Sequence, residues 1–235
     1  MTPAPPLRAI TFDLDDTLWD IGPVIRAAES RMESHLRRHF PAMAQHLPAG
    51  EVRRRMHVLA AERPELAHHV TALRMTVLRE AAQAAGAPPQ AADSAFAAFI
   101  EARNAVTPFA DAVQVLRILG EHFALASITN GNVDLAVTGL ADLFRIRVSA
   151  ESAGMAKPHP AIFHRTCEAL GVAPEETLHI GDDPECDVHG ARTAGLRAIW
   201  FNRLGQRWPG PGQVPIHVRR LSELIERLLP GRASS

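Results

Sequence analysis

An apolar run that ends abruptly in acidic residues is the feature that most constrains how this chain can fold. Residues 7–12 are apolar and partly β-branched, and Asp13, Asp15 and Asp16 follow within four residues. This pattern is typical of a buried strand whose carboxyl end opens onto a site at the edge of a parallel sheet. Asp13 and Asp15 lie two residues apart, so in an extended segment their side chains point to the same side.

Carboxylates held this close repel each other and raise a pKa unless a proton or a cation compensates them. A hard divalent cation such as Mg²⁺, which prefers carboxylate and carbonyl oxygens, would resolve the conflict. A solvated acidic turn is the alternative interpretation. Phe12, Leu14 and Trp19 surround the acids and favour partial burial, where unpaired charge is costly.

Beyond residue 107 the chain alternates between short apolar runs and helical patterns. The runs predict strands at 123–128, 146–149, 177–180 and 197–201, with a possible edge strand at 216–218. Helices are predicted near 110–119, after Asn132, near 161–170, after Asp187 and near 221–229. Strands separated by about 10–15 helical residues indicate a parallel sheet with right-handed crossovers. The predicted fold class is therefore α/β, with a Rossmann-like parallel sheet as its core.

Residues 19–106 differ from the rest of the chain, because Ala, Leu, Arg, Glu and His dominate and strand-like runs are missing. Apolar residues recur there at helical spacing. Prolines divide the segment into about four helices, at positions 41, 48, 64, 88 and 89. We therefore predict a core domain of residues 1–18 and 107–235, with a helical cap domain of residues 19–106 inserted into it.

The composition argues against several classes of partner. The 25 basic and 26 acidic residues give a net charge of −1, which is no footprint for nucleic acid or an anionic membrane. No apolar run approaches the roughly 18 residues of a spanning helix. The start, residues 1–6, is Pro-rich rather than an export signal, and two cysteines are too few for a disulfide framework. We expect a cytoplasmic protein, as a monomer or weak homodimer, with neither nucleic acid nor a membrane as partner.

Two later segments carry groups that suit a phosphate. Thr129, Asn130 and Gly131 close the second predicted strand, where a hydroxyl, backbone N–H groups and a permissive glycine favour a small anion. Lys157 lies at the head of a predicted helix, whose first turn we expect Pro158 to set. Taken alone, a turn of this kind and a single lysine are more often ordinary surface features.

A second acidic segment follows the strand predicted at 177–180. It contains Asp182, Asp183 and Asp187, and taken alone it could be an acidic turn that caps a helix. Each polar segment, however, falls at a predicted strand end, and in a parallel sheet these ends meet at one edge. Two acidic sites, a hydroxyl and a lysine at that edge suit a phosphate together with Mg²⁺.

These segments, in this order, resemble the four motifs of the haloacid dehalogenase (HAD) superfamily. The matching residues are Asp13-Leu14-Asp15-Asp16-Thr17, Thr129-Asn130, Lys157, and Gly181-Asp182 with Asp187. The resemblance covers residues 7–20 and 107–204, and the helical insert resembles the smaller α-helical (C1-type) cap of the superfamily. It implies a HAD-like core fold and an enzyme of the phosphatase branch.

The resemblance also implies a role for each motif residue. Asp13 would be the nucleophile that forms an aspartyl-phosphate, and Asp15 would act first as general acid and then as general base. Thr129 and the backbone of Asn130 would bind phosphate oxygens. Lys157 would neutralise charge on the nucleophile and on the phosphate.

Mg²⁺ is the cofactor that the resemblance implies. It would be held by Asp13, the carbonyl group of Asp15, and Asp182. The secondary candidates are Asp187, Asp183 and Thr17. Asp187 would lie behind these ligands or bind a water molecule of the metal, and Asp183 is a lower-ranked alternative ligand.

The residue at position 15 distinguishes two branches of the superfamily. Dehalogenases of the superfamily lack an acid there, because a halide leaving group needs no proton, whereas an alkoxide does. Asp15 therefore favours a phosphomonoester hydrolase that acts on a small phosphorylated metabolite. A narrower resemblance, in residues 14–25 and 128–132, is to bacterial phosphatases of flavin biosynthesis that act on 5-amino-6-(5-phospho-D-ribitylamino)uracil and also accept FMN.

Two alternatives stay open at this point. A phosphomutase of the same superfamily would pass the phosphoryl group to a sugar rather than to water, and the core motifs barely separate it from a phosphatase. A catalytically silent binding protein is the other alternative. It is disfavoured because the set of residues that the chemistry needs is complete.

Other residues invite functional interpretations. Trp19 and Arg26, near the predicted junction of core and cap, are candidates for substrate contact. His35 and His39 have the spacing of zinc ligands on a helix, but no third ligand lies near them in sequence, so a solvated helix face is favoured. The run of three arginines at 53–55 is likewise typical of a solvated face.

Overall fold

The computed structural model of the chain describes residues 5–210 and 212–230. The chain forms two compact units. One contains the described residues of 1–20, 107–130 and 139–235, and the other contains residues 21–106 and 131–138. The domain boundaries predicted from sequence stay a prediction, and parts of the Pro-rich start and of the predicted C-terminal end of the core lie outside the described residues.

The first unit is built on a parallel sheet of six strands. They are β1 (Ala9–Phe12), β2 (Ala124–Thr129), β3 (Ile146–Ser149), β4 (Thr177–Gly181), β5 (Arg197–Phe201) and β6 (His217–Val218). Their order across the sheet is β3-β2-β1-β4-β5-β6, and all neighbouring pairs are parallel. The predicted α/β fold class is confirmed, and the predicted edge strand is β6.

The central strands explain why the sequence shows continuous apolar runs. Every residue of β1 and of β4 is buried, as expected for strands covered on both faces. Phe12 of β1 pairs with Ser127 of β2 on one side and with Ile180 of β4 on the other. The chain therefore leaves β1, β2 and β4 at the same edge of the sheet, where ligands bind in folds of this type.

The second unit is helical. Its helices are α1 (Ile21–His39), α2 (Pro41–His46), α3 (Glu51–Glu62), α4 (Val70–Ala84) and α5 (Gln90–Arg103). The described residues form five α-helices here, where about four were predicted, and Pro41, one of the predicted division points, begins the second of them. Ala28, Met32 and Leu36 recur every four residues on the buried face of α1 and join residues of α4 and α5 in one hydrophobic core.

The helices of the sheet-containing unit are α6 (Ala112–Gly120), α7 (Ala150–Ala153), α8 (Pro160–Leu170), α9 (Gly190–Thr193) and α10 (Glu223–Leu228). A turn of π-helix at Pro184–His189 precedes α9. Among all the helices described in the chain, none has the length and apolarity that crossing a membrane requires.

The helix predicted after Asn132 is wrong, because residues 131–140 contain no helix. Asp134 instead closes a turn, since its side chain accepts a hydrogen bond from the N–H of Ala136 at 2.9 Å. Leu135 is only 5% exposed while Val137 is 66% exposed, so the apolar side chains of the segment do not form one continuous buried face. Gly139 then adopts a left-handed conformation (φ +74°), which ends the turn.

The expectation that Pro158 sets the first turn of a helix is also wrong. Helix α8 begins at Pro160, and His159 is its N-cap, whose Nδ1 accepts from the N–H of Ala161 at 3.2 Å. The cause is that a proline disfavours helical geometry in the residue before it, while it is itself well suited to the first helical position. Lys157 therefore lies in the loop that precedes α8 rather than in the helix.

Candidate active site

Side chains from separate segments meet at the carboxyl edge of the sheet. Asp13 follows β1, Asp182 follows β4, and Asp187 lies in the π-helical turn. One carboxylate oxygen of each lies within 4.8 Å of the others. Within residues 5–210 and 212–230 this is the one group of three or more acidic, histidine or cysteine side chains close enough to share a metal ion.

Lys157 is fixed between two of these carboxylates. Its Nζ lies 2.5 Å from Asp13 Oδ1 and 2.6 Å from Asp187 Oδ1, and only 4% of the residue is exposed. Burial by itself would lower the pKa of Lys157, but the negative charges of Asp13 and Asp187 outweigh burial and raise it. The side chain is therefore a charged ammonium held against the predicted nucleophile.

The three carboxylates carry more negative charge than Lys157 neutralises. Burial raises the pKa of Asp13 well above its ordinary value, and Asp187 and Asp182 raise it further. Burial, followed by the charge of Asp187, raises the pKa of Asp182 to about 7. Three ionised carboxylates and one ammonium carry a net charge of −2. A divalent cation with a preference for oxygen ligands would compensate that charge, so the residues present fit Mg²⁺.

His179, a fully buried histidine of β4, was not among the residues predicted from the sequence. Its Nε2 lies 3.0 Å from Asp187 Oδ1, and its Nδ1 lies 2.8 Å from Thr11 Oγ1. Burial lowers the pKa of His179, which favours the neutral ring. In that form the Thr11 hydroxyl donates to Nδ1 and the Nε2–H donates to Asp187. The signal was a histidine inside an otherwise apolar strand, since a buried imidazole needs partners for both ring nitrogens.

Asp187 is the group on which these contacts converge. Its Oδ1 accepts from both Lys157 and His179, and its Oδ2 accepts from the N–H of Asp183 at 2.9 Å. Although burial would raise the pKa of Asp187, Lys157 and the hydrogen bond from His179 hold it below its ordinary value. A β-carbon at Gly181 would lie 2.2 Å from the carboxyl carbon of Asp187, so a glycine is needed there.

Asp183 occupies a different position from the other acids. Its Oδ1 accepts from the N–H groups of Glu185 (2.8 Å) and Cys186 (2.7 Å), so it caps the π-helical turn. The side chain is not part of the group formed by Asp13, Asp182 and Asp187. Asp183, the lower-ranked candidate ligand, therefore lies outside this acidic cluster.

Asp15 is held by the indole of Trp19. Its Oδ1 accepts from Trp19 Nε1 at 2.8 Å, and the side chain is half-buried. Asp16 has a left-handed backbone conformation (φ +59°), which aspartate tolerates better than most residues, and the chain turns at this point. Trp19, a predicted substrate contact, is fully buried and serves here to orient Asp15.

Thr17, Thr129 and Asn130 complete the residues predicted from the motifs. Thr17 Oγ1 lies 3.4 Å from Asp13 Oδ2 and 3.3 Å from Asp182 Oδ1. Thr129, the last residue of β2, is buried.

Asn130 has a structural contact that the sequence did not predict. Its Oδ1 accepts from the N–H of Lys157 at 2.8 Å, and its Nδ2 donates to the carbonyl oxygen of Lys157 at 3.0 Å. The side chain therefore ties the end of β2 to the loop that carries the lysine.

The residues that suggested other interpretations lie in the helical unit. The rings of His35 and His39 are 4.6 Å apart, and His35 Nε2 lies 2.7 Å from Ser94 Oγ. Among the described residues neither histidine belongs to a group of three ligands, so nothing supports a zinc site. The arginines at 53–55 pair with Glu29 and Glu51, mostly on the surface.

Comparison with known proteins places these features in a family. The family model described as haloacid dehalogenase-like hydrolase matches residues 7–195. The chain is 33% identical over 226 residues to the 5-amino-6-(5-phospho-D-ribitylamino)uracil phosphatase YigB of Escherichia coli (strain K12), covering 93% of this chain and 94% of that protein. It is 38% identical over 159 residues to the phosphoserine phosphatase of Thermus thermophilus, covering 65% and 64% of the two chains.

The fold is also that of a solved structure named for a different reaction. The 2-haloacid dehalogenase from Pseudomonas syringae pv. Tomato DC3000 matches with a TM-score of 0.89 and 37% identity, covering 94% of this chain and 98% of that one. The family match and the named phosphatases nevertheless confirm the predicted enzyme class, a phosphatase of the HAD-like type. Because the family model spans most of its length and its motifs meet at one sheet edge, the chain belongs to the haloacid dehalogenase-like hydrolase family.

Proposed function

We propose that this chain is a Mg²⁺-dependent phosphomonoester hydrolase that works through a phospho-aspartate on Asp13. The observation that carries the proposal is Asp15, an acid two residues after the proposed nucleophile Asp13. Its carboxylate accepts a hydrogen bond from the indole of Trp19. A dehalogenase releases a halide and needs no acid, whereas an ester phosphatase must protonate an alkoxide. Asp15, the acid that ester hydrolysis needs, is present, and its hydrogen bond to Trp19 orients it.

The proposed reaction has two steps. A carboxylate oxygen of Asp13 attacks phosphorus, the bond from phosphorus to the ester oxygen breaks, and Asp15 gives its proton to the departing alkoxide. Water then attacks the phosphorus of the aspartyl-phosphate, Asp15 takes a proton from that water, and phosphate leaves as Asp13 is restored. In both steps Lys157, which contacts Asp13 Oδ1, offsets negative charge on the nucleophile and on the phosphoryl group.

The remaining residues hold the phosphate and the metal. Thr129 and the backbone N–H of Asn130 would bind phosphate oxygens. Asp13, Asp182 and the carbonyl of Asp15 would hold Mg²⁺, which when bound supplies positive charge to the phosphate and the nucleophile. Asp187 would support this set from behind, since its two oxygens already accept hydrogen bonds from protein groups.

The substrate class that the relatives favour is a small phosphorylated metabolite. YigB is named for a phosphate ester of the flavin pathway, and the narrower resemblance in residues 14–25 and 128–132 agrees with it. We therefore include this ester in the substrate proposal. We also propose that the predicted cap, residues 19–106, selects the substrate. We further propose that the enzyme acts in the cytoplasm as a monomer or weak homodimer. Light scattering after gel filtration would test the oligomeric state.

The test is phosphate release from a panel of phosphomonoesters, with Mg²⁺ and with EDTA. The panel contains 5-amino-6-(5-phospho-D-ribitylamino)uracil, FMN, phosphoserine and p-nitrophenyl phosphate. We expect release that requires Mg²⁺ and that Asp13→Asn abolishes, because the amide is no nucleophile. Asp142→Asn, an exposed control in the same unit, should retain full activity.

Two results would contradict the proposal. Near-normal turnover by folded Asp13→Asn would exclude the aspartyl-phosphate route. Phosphoryl transfer that needs a bisphosphorylated primer and releases no free phosphate would instead identify a phosphomutase.

A further inference from the structure

Trp200, a buried tryptophan of β5, donates a hydrogen bond to the backbone of a residue proposed to hold the metal. Its Nε1 lies 2.8 Å from the carbonyl oxygen of Asp182, and the residue is 1% exposed. Gly181, the last residue of β4, pairs with Trp200 in the sheet, and Asp182 is the next residue along the chain. The indole therefore gives the carbonyl group of Asp182 a partner just beyond the point where β4 ends.

The peptide group between Asp182 and Asp183 is held on both of its sides. Its carbonyl oxygen accepts from Trp200 Nε1, and its N–H donates to Asp187 Oδ2 at 2.9 Å. Because a peptide group is planar, these two hydrogen bonds fix the orientation of the whole plane, which includes the Cα atom of Asp182. Their geometry therefore limits where the carboxylate on that Cα atom can lie.

The carboxylate of Asp182 depends on this backbone support. Its Oδ1 accepts from Thr17 Oγ1 at 3.3 Å, a longer distance than either contact of the peptide group. The residue also lies in the turn after β4 rather than in the strand. The shorter backbone contacts thus contribute more to the orientation of Asp182 than the contact of its side chain does.

An aromatic cluster surrounds the indole of Trp200. Its ring centroid lies 5.2 Å from that of Trp208, edge to face, and 6.0 Å from that of His217. Trp208 Nε1 is buried and has no hydrogen-bond partner in the part of the chain that the structure describes. Two indoles in contact thus differ in one respect, since one N–H binds Asp182 and the other binds no described group.

We propose that Trp200 is a positioning residue for the metal, which holds the peptide group after Asp182 so that the carboxylate of Asp182 is oriented for Mg²⁺. An indole N–H is a donor without a lone pair, so Trp200 cannot be a ligand and acts through Asp182. Partners that orient a metal ligand raise the affinity for the metal. The inference rests on the proposed Mg²⁺ site and adds to it a residue outside the four motifs.

The test compares Trp200→Phe with Trp208→Phe, the same substitution in two indoles that contact each other. Trp200→Phe removes the N–H that binds Asp182, whereas Trp208→Phe removes an N–H without a described partner. The measurement is Tm at pH 8 as a function of Mg²⁺ concentration, because an ion that binds the folded state raises Tm in proportion to its occupancy. We expect Trp200→Phe to need about tenfold to a hundredfold more Mg²⁺ for the same rise in Tm, and Trp208→Phe to follow the parent protein.

Trp200→His separates positioning from packing. The imidazole matches the five-membered ring of the indole and can place its Nε2–H where the indole N–H was, but it lacks the second ring. Without metal its Tm should therefore be lower than that of Trp200→Phe, because a larger cavity remains. We nevertheless expect Trp200→His to need less Mg²⁺ than Trp200→Phe.

The order of these two variants decides between the roles. If the Mg²⁺ requirement follows the loss of packing, so that Trp200→His needs more Mg²⁺ than Trp200→Phe, then Trp200 is a structural residue and the proposal is overturned. Equal Mg²⁺ requirements in Trp200→Phe and Trp208→Phe would overturn it as well. If Trp200→Phe does not fold, Trp200→His alone carries the test, and a Mg²⁺ requirement about tenfold above that of the parent protein would contradict the proposal.

Kinetics provide a second measurement. On p-nitrophenyl phosphate we expect the Mg²⁺ concentration for half-maximal activity to rise in Trp200→Phe by the factor seen in Tm, while kcat at saturating Mg²⁺ changes by less than about threefold. A large loss of kcat at saturating Mg²⁺, with the Mg²⁺ requirement unchanged, would contradict a role through the metal.

The Tm titration also distinguishes this inference from the proposed function. If the parent protein binds Mg²⁺ but hydrolyses no ester, the phosphatase proposal fails and the titration still tests Trp200. If Mg²⁺ does not raise the Tm of the parent protein, the proposed metal site fails and this inference fails with it. A rise in the parent protein that Trp200→Phe matches at the same Mg²⁺ concentrations would overturn this inference alone.

Discussion

Asp187 determines how the lysine of the site is held. Its Oδ1 accepts hydrogen bonds from Lys157 and from His179, while Thr11 fixes the other ring nitrogen of the histidine. A carboxylate with one donor can rotate, whereas two donors on Oδ1 and one on Oδ2 leave it a single orientation. His179 therefore positions Asp187, and through it Lys157, without reaching the nucleophile itself.

Replacing His179 tests this positioning role. His179→Leu removes the donor to Asp187, and we expect kcat to fall about tenfold to a hundredfold while KM changes little. His179→Gln can present an amide N–H in a similar place and should recover much of the loss. Steady-state kinetics on p-nitrophenyl phosphate, with Tm measured for each variant, would check it. If kcat per folded molecule in both variants equals that of the parent enzyme and only Tm differs, the histidine has a merely structural role.

Asp15 allows a prediction that depends on the leaving group. Asp15→Asn cannot protonate an alkoxide, so hydrolysis of alkyl phosphates such as phosphoethanolamine should fall about a hundredfold to ten-thousandfold. The loss on p-nitrophenyl phosphate should be much smaller, because nitrophenolate leaves without a proton. Trp19→Phe removes the N–H that orients Asp15, together with part of a buried ring, so the folded variant should show the same trend more weakly. Equal losses on both substrates would rule out a general-acid role for Asp15.

At the scale of elements, the sequence predicted strands and helices correctly where the local apolar pattern and the tertiary contacts favour the same element. The central strands are buried on both faces, so their apolar runs in the sequence end close to the observed strand bounds. The residues that follow β1, β2 and β4 could therefore be assigned to one edge of the sheet. The prediction of a helix after Asn132 was wrong because the composition of the segment does not reveal the turn that the Asp134 side chain closes.

Contacts between elements explain what the sequence could not reveal about the site. His179 acts on Asp187 across eight residues, and Asn130 binds the loop of Lys157 across 27. In neither pair do the two residues belong to the same element, so the periodicity of a single helix or strand does not identify them as partners.

At the scale of the whole molecule, the acid cluster links folding to pH and to the metal. Asp182 has a pKa of about 7 in the folded protein, raised from 3.8 by burial and by Asp187. Between these two pH values the folded protein retains a proton that the unfolded chain has released. Without metal, the contribution of Asp182 to the free energy of unfolding therefore falls as pH rises through that window. A bound cation would compensate the same charge and reverse this loss.

This linkage predicts how Mg²⁺ affects thermal stability. At pH 8 the carboxylates are ionised and Mg²⁺ should raise Tm, whereas at pH 5 protons compete for the same oxygens and the rise should be smaller. Differential scanning calorimetry at both pH values, with Mg²⁺ and with EDTA, would measure the difference. Asp182→Asn should lose most of the Mg²⁺-dependent rise and should be less sensitive to pH in the presence of EDTA, while Asp142→Asn, an exposed control, should match the parent protein. A rise in Tm that is the same at both pH values, or that persists in Asp182→Asn, would mean that the ion binds elsewhere, because only ligands that titrate in this window couple its affinity to pH.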